Sequence, residues 1–240
     1  MNKFFRAPLA FAFAVGMMSS AQAVNYVSVA GNDITFYYDA DFWGLNAGSV
    51  SGNSISFGVD PSYSLLAKVA SNKPAGTNVQ TYADSASAAV IAVAHNGYVL
   101  NSAVGFNLQG SYGGVNGGSA MTTTAGGDIY GGTFASGVFN SGNYINSYSV
   151  GFASDAQSPA AGNINVSQSG GDNGIQYSAL GLDALIYANV YQHGPGNLSL
   201  DVASARYEFS VSAVPEPETY GMLLLGLGAL GFIARRKRSA

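Results

Sequence analysis

Apolar residues follow three regimes along the chain. From Leu9 to Met18 they are nearly continuous. Between Val24 and Ala213 they come in short bursts that alternate with polar residues and are broken by turn residues. From Tyr220 to Ala234 they are continuous again. The middle regime predicts strands. Ile34-Thr35-Phe36-Tyr37-Tyr38 is aromatic and β-branched, and the preceding Gly31-Asn32-Asp33 is turn chemistry. Ser49–Val59 sets Val50, Ile55 and Phe57 around Gly52-Asn53 and predicts a hairpin. Ala88–Ala94 reads as a buried strand or a short helical segment. The Asn96-Gly97 pair after it is a strong hairpin signal that makes Tyr98–Gln109 the partner strand. Leu182–Gln192 and Leu198–Val211 flank a five-residue turn, His193–Asn197. In the second of these strands Val202, Tyr207, Phe209 and Val211 keep a period of two once Ala203–Arg206 holds a bulge. Only Pro61–Asn72 and Ala83–Ala94 have room for a helical turn or two.

Gly110–Gly142 is the stretch densest in glycine, yet Tyr112, Ile129, Tyr130, Phe134, Val138 and Phe139 recur too often for a bare linker. Short strands with glycine at bulges and tight turns fit that pattern. No fixed repeat period is present, which argues against a solenoid. The expected architecture is all-β: one antiparallel β-sandwich of jelly-roll type over residues 24–213, preceded by a signal helix (1–23) and followed by a tail (214–240) with a short transmembrane helix.

Composition narrows the function. The chain has 240 residues, 48% hydrophobic and only 9% charged, with 32 glycines and no cysteine. The missing cysteine excludes a disulfide scaffold, an Fe–S site, a thiolate zinc site and a Cys nucleophile. Between the two ends only Lys68, Lys73 and Arg206 are basic, against eleven acidic residues. A surface so poor in cations does not suit nucleic acid. It must be covered by Ser, Thr, Asn, Gln and Gly, which favours a polar, sugar-rich exterior over capture of a polyanion.

The two ends predict destination. Lys3 and Arg6 form a positive n-region, Leu9–Met18 an apolar stretch too short to span a bilayer comfortably, and Ala21-Gln22-Ala23 a small–x–small site for signal peptidase. Cleavage after Ala23 would make Val24 the first mature residue; the alternative is an anchor that is never cut. At the other end, Tyr220–Ala234 carries no charge, and Arg235, Arg236, Lys237 and Arg238 come at once after it. Fifteen helical residues reach about 22 Å, short of the ~30 Å hydrocarbon core, and snorkelling arginines extend that reach. Basic residues stay inside, so both basic clusters are cytoplasmic and everything between them lies outside. A core helix would not be apolar all round, glycine-spaced and closed by four cations. Before this span, Pro215 and Pro217 hold Val214–Thr219 extended, and Glu216 and Glu218 keep it solvated, which exposes it to a processing enzyme.

The order Val214-Pro215-Glu216-Pro217, then Thr219, a short Gly/Leu-rich span and a terminal Arg/Lys cluster resembles the PEP-CTERM sorting signal of exported proteins in Gram-negative, biofilm-forming bacteria. The resemblance implies recognition of Pro215, Glu216 and Pro217 by exosortase, a multi-pass membrane cysteine protease. It also implies cytoplasmic retention through Arg235–Arg238, and release or transfer of the body to the surface. Glu218 departs from the pattern, where the family most often has Ser or Gly. The resemblance covers the tail and is silent about the body, since similar tails occur on hydrolases, adhesins and proteins labelled ice-binding.

Candidate chemistry in the body is sparse. His95 and His193 each sit beside a predicted turn, outside any metal-spaced motif, and no G-x-S-x-G elbow occurs. Glycoside hydrolysis needs two placed carboxylates, and the body has one glutamate, Glu208, with ten aspartates. Asp39 and Asp41 flank Phe42-Trp43. This is either a polar loop capped by a buried Trp or a sugar-binding platform of Asp39, Asp41 and Trp43. Calcium is conceivable at Asp39-x-Asp41 or Gly170–Gly174, although Asx turns explain both clusters without metal, and no other cofactor is expected. Only Thr122-Thr123-Thr124 approaches an ice-facing array, and it is not periodic. The reading is therefore a non-catalytic matrix or adhesion protein, partnered by signal peptidase, exosortase and exopolysaccharide, and by the inner membrane in transit. The alternatives are a secreted carbohydrate-active hydrolase or binding module on the same sandwich, and an outer-membrane barrel, against which the Ser- and Asn-rich strands argue.

Overall fold

The computed structural model describes residues 24–69, 76–114, 118–155, 160–171, 173–214 and 221–228. The signal segment, Pro215–Tyr220 and the basic cluster Arg235–Arg238 lie outside the described residues.

Among the described residues fifteen strands carry the body: β1 Tyr26–Ala30, β2 Ile34–Asp39, β3 Gly48–Ser51, β4 Ser54–Gly58, β5 Leu65–Val69, β6 Thr77–Asp84, β7 Val90–Ala94, β8 Tyr98–Gly113, β9 Ala120–Ala135, β10 Val138–Ser154, β11 Ala161–Gly170, β12 Gln176–Tyr177, β13 Ala179–Leu182, β14 Leu185–Gln192 and β15 Gly196–Ala213. One helical turn, α1 Ala40–Trp43, and a 3₁₀ turn, Pro61–Tyr63, accompany them. The pairings of these strands are antiparallel and form two sheets. The first runs β1-β2-β7-β13-β9-β14-β6, with β10 added to β9. The second runs β11-β8-β15-β4-β3, with β12 on β8 and β5 on β15. One apolar cluster draws side chains from both sheets, so the body is an antiparallel β-sandwich.

Two pairs of strands are single tracks with a break. β13 and β14 both pair with β9, one after the other, while β7 lies along β13 and β6 along β14. The 77–94 and 179–192 tracks thus run antiparallel, and both are interrupted at the same height. Register passes from Leu185 opposite Asp84 to Leu182 opposite Val90, so five residues, 85–89, face only two, 183 and 184, and the three surplus residues make the longer segment bulge. The gap is pinned by Ser85 N–H donating to the Ala184 carbonyl at 2.9 Å and by Ala184 N–H donating to Ser85 Oγ at 2.8 Å.

Alternation decides which side chains enter the core. Leu100, Val104, Phe106 and Leu108 of β8 point inward, as do Leu198, Leu200 and Val202 of β15. In β15 the inward set then switches parity to Ala205, Tyr207 and Phe209, because the register slips between Val202 and Ser204. An extra residue in one strand has this effect, as the pattern in the sequence required.

Three expectations are corrected. Asn96-Gly97 does form a turn, with Gly97 at φ +83° and Tyr98 N–H donating to the His95 carbonyl, but it does not close a hairpin. Both edges of β7 are already occupied by β2 and β13, so β8 crosses to the other sheet and pairs with β15 and β11. Gly110–Gly142 holds long strands, because its glycines make room for neighbours instead of ending strands. A side chain at Gly131 would strike the Tyr177 ring, and one at Gly132 the Phe139 ring. The helical turn allowed within Ala83–Ala94 is absent, while α1 forms instead, capped by Asp39 accepting from Asp41 N–H and ended by Gly44 at φ +95°.

The centre of the core is aromatic. Trp43 stacks on Phe57 at 4.2 Å between ring centroids, Phe106 packs on both Tyr148 and Tyr207, and Tyr38 meets Phe57 edge-on. Tyr148 of β10 and Tyr207 of β15 join the two sheets through their hydroxyls, 3.0 Å apart and fully inside the core. Tyr148 spends its single proton on the Asp183 carbonyl at 2.7 Å, so Tyr207 is the donor to Tyr148. Removing the Tyr148 hydroxyl strands two groups and removing that of Tyr207 strands one. We therefore expect Tyr148→Phe to cost about 1–3 kcal/mol and Tyr207→Phe less. The double variant should cost less than the sum. Urea denaturation of the four proteins measures this, and strict additivity would show that the hydroxyls do not interact.

Candidate functional site

Each residue of the body singled out from the sequence has a definite place. Trp43 is 6% exposed, stacked on Phe57 with Phe42 at its edge, and its Nε1–H donates to the Ala89 carbonyl at 3.2 Å. Asp39 is buried as the cap of α1, and Asp41 is exposed beside it. These residues are neighbours, yet the indole is core and offers no ring face to a ligand. The polar loop capped by a buried Trp is the arrangement found. His95 is half-buried and shares a 3.0 Å hydrogen bond with Thr35 Oγ1; His193 is exposed near Tyr191. Glu208 lies on the outer face of the second sheet, 3.8 Å from Arg206. Thr122 and Thr124 flank a buried Thr123, so the triplet does not form a rank on one face. Among the described residues no three His, Asp or Glu side chains gather to hold a metal ion.

The break in the first sheet opens a cleft of about 510 Å³ that the sequence did not announce. Ser85, Ala86, Ser87 and Ala88 of the bulge line it, together with Val24 and Tyr26, Tyr130 of β9, Val138 and Phe139 of β10, and Asp183. A second carboxylate, Asp128, stands behind Tyr130. Asp128 Oδ1 accepts from Ser147 Oγ at 2.6 Å and Oδ2 from the Tyr130 hydroxyl at 3.3 Å, while Asp128 N–H donates to Asp183 Oδ1. The Tyr26 hydroxyl donates to the Ala88 carbonyl at 3.1 Å and anchors the opposite wall.

Glycines seat the key side chains. A Cβ at Gly127 would collide with Asp183, and one at Gly181 with the Phe139 ring. Charge is concentrated here without a cation among the lining residues. Burial, and then the nearby Asp128 and Asp84, raise the Asp183 carboxyl above its ordinary 3.8, against two backbone N–H groups that lower it. Burial likewise raises Tyr130, with Asp128 adding to it.

The tail is the other functional element. β15 stays paired to β8 up to Ala213 opposite Tyr98, and Val214 N–H donates to the Gly97 carbonyl at 2.8 Å. The Asn96-Gly97 turn thus closes the body just where the sorting segment starts. Residues 221–228 are helical, and Met222, Leu223, Leu224, Leu225 and Leu227 are 57–72% exposed. No described helix is long and apolar enough to cross a membrane.

Asp183 also makes stability depend on pH. A carboxyl whose folded pKa is raised favours the native state while protonated; that contribution is complete below about 3.8 and is lost as pH rises through the folded value. Asp183→Asn keeps the Oδ1 acceptor for Asp128 N–H and removes the titration. Its stability relative to the wild type should therefore improve between about pH 3 and about pH 7. Urea midpoints at both pH values check this, and a pH-independent difference would contradict it.

No curated protein matches the chain. Among solved structures it is similar to chains of the infectious bursal disease virus Gt strain (11% identity, TM-score 0.28, 71% of this chain and 42% of that one). It is also similar to those of the VP2 subviral particle of the same virus (13% identity, TM-score 0.26, 81% and 48%). The chain therefore spans under half the length of these structures. Residues 213–238 match the family model for the PEP-CTERM protein-sorting motif. Residues 213–238 are accordingly a PEP-CTERM sorting motif, and that motif indicates a membrane-anchored precursor exported to the cell surface or extracellular space.

Proposed function

We propose that the body is a non-catalytic structural or adhesive component of the cell surface or of a biofilm exopolysaccharide matrix, delivered there by its tail. The observation that carries this reading is the junction at Ala213-Val214. Among the described residues the last strand bonds are made here, and the segment that follows carries the sorting motif, with exposed leucines in residues 221–228. The sparse cations of the body and its strand faces of Ser, Thr, Asn and Gln support a place among hydrated polysaccharides. The precursor would be tethered by residues 220–234, with Arg235–Arg238 inside, and then cut near Pro215–Pro217.

A second reading, a carbohydrate-active hydrolase or binding module, draws on the cleft with Asp183 and Asp128. Between its two forms the hydrogen bonds favour binding. Both Asp128 oxygens already accept bonds, from Ser147 and Tyr130, which leaves Asp183 as the carboxyl group lining the cleft.

Replacing Pro215, Glu216 and Pro217 with alanine should leave uncut precursor in the inner membrane, as read by fractionation and immunoblotting. Unchanged delivery to the surface would overturn the sorting assignment. Deleting Glu218–Ala240 should give a soluble exported body, because among the described residues the last strand bond is that of Val214. An insoluble product would mean that the tail is part of the fold.

A further inference from the structure

We propose that the cleft between residues 85–89 and the β9–β10 hairpin is a binding site for a short neutral oligosaccharide. The lining combines three things that a sugar needs together. Tyr26, Tyr130 and Phe139 supply rings for the C–H faces of pyranoses, Ser85 and Ser87 supply hydroxyls, and Asp183 supplies a carboxyl that accepts from sugar hydroxyls. The volume of about 510 Å³ is that of a small-molecule site.

Other ligand classes fit less well. An anion would meet Asp183 and Asp128 with no cation among the lining residues. A wholly apolar ligand would strip water from Asp183 and return no hydrogen bond. A diamine would find Asp128 already holding the Ser147 and Tyr130 hydroxyls, which leaves one carboxyl, Asp183, where two are wanted.

The site is built in advance. Phe139 lies across Gly132 and Gly181, Asp183 lies across Gly127, and the hydroxyls of Tyr26 and Tyr130 are tied to Ala88 and Asp128. Rings held in this way lose little freedom when a ligand arrives. This site rests on the matrix reading only for the source of its sugar. Failed sorting with intact sugar binding would sink that reading and leave this one standing.

The test uses the full chain in a sugar-free zwitterionic detergent, titrated calorimetrically with gluco-, manno-, galacto- and xylo-oligosaccharides and, separately, with putrescine. At least one oligosaccharide series should bind. Asp183→Asn and Phe139→Ala should each weaken it by about tenfold or more. Tyr130→Phe, which keeps the ring, should weaken it less, and Arg206→Ala on the other sheet should leave it unchanged. Near-ultraviolet circular dichroism, dominated by the buried Trp43 and its neighbours, verifies that each variant is folded. Three results would overturn the proposal: no oligosaccharide bound at about 10 mM, binding indifferent to both Asp183→Asn and Phe139→Ala in folded protein, or binding of putrescine alone.

Discussion

The hydrogen bond between Tyr148 and Tyr207 ties the two layers of this protein together at their centre. Hydrophobic burial holds sheets against each other without fixing how far one slides over the other. A buried hydroxyl with one proton to give is directional and leaves little latitude. Here the chain of donors runs from Tyr207 on the second sheet to Tyr148 on the first, and on to the Asp183 carbonyl. It ends at the break between β13 and β14. The same residue whose backbone terminates this chain also lines the cleft. The cleft is thus fixed from inside the core, and its most distinctive group is placed by a residue that never sees solvent.

Much of this architecture was legible along the chain because strand identity is local. Ile34–Tyr38, the Ser49–Val59 hairpin and the parity switch in Ala203–Arg206 all depend on alternation that a short window contains. Strand pairing is not local. Asn96-Gly97 carries turn chemistry, but whether the flanking strands pair depends on whether β7 still has a free edge, and β13, which occupies it, lies some ninety residues later. The glycines of β9 mislead for the same reason. Their meaning is the Tyr177 and Phe139 rings and the Asp183 side chain lying over them, and those partners are set by register.

The two candidate sites show the same division. The tail announces itself because its residues act in sequence order on an extended segment. Asp39, Asp41 and Trp43 drew attention by adjacency, and proximity on the chain says nothing about which face of an indole is free. Asp183 had a quieter signal. It is the only charge in Ala179–Gln192, a stretch otherwise fit for a strand. A carboxylate there does not suit an unbroken buried strand, and Asp183 falls where the two tracks are interrupted.

The topology also orders events in time. β15 contributes the last eighteen residues of the sandwich, yet it lies in the interior of its sheet, between β8 and the β4 and β5 strands. A chain that emerges amino end first therefore waits with an open slot until its final strand has crossed. The segment immediately behind that strand is the sorting signal. Closure of the second sheet thus waits for the strand that directly precedes the sorting motif.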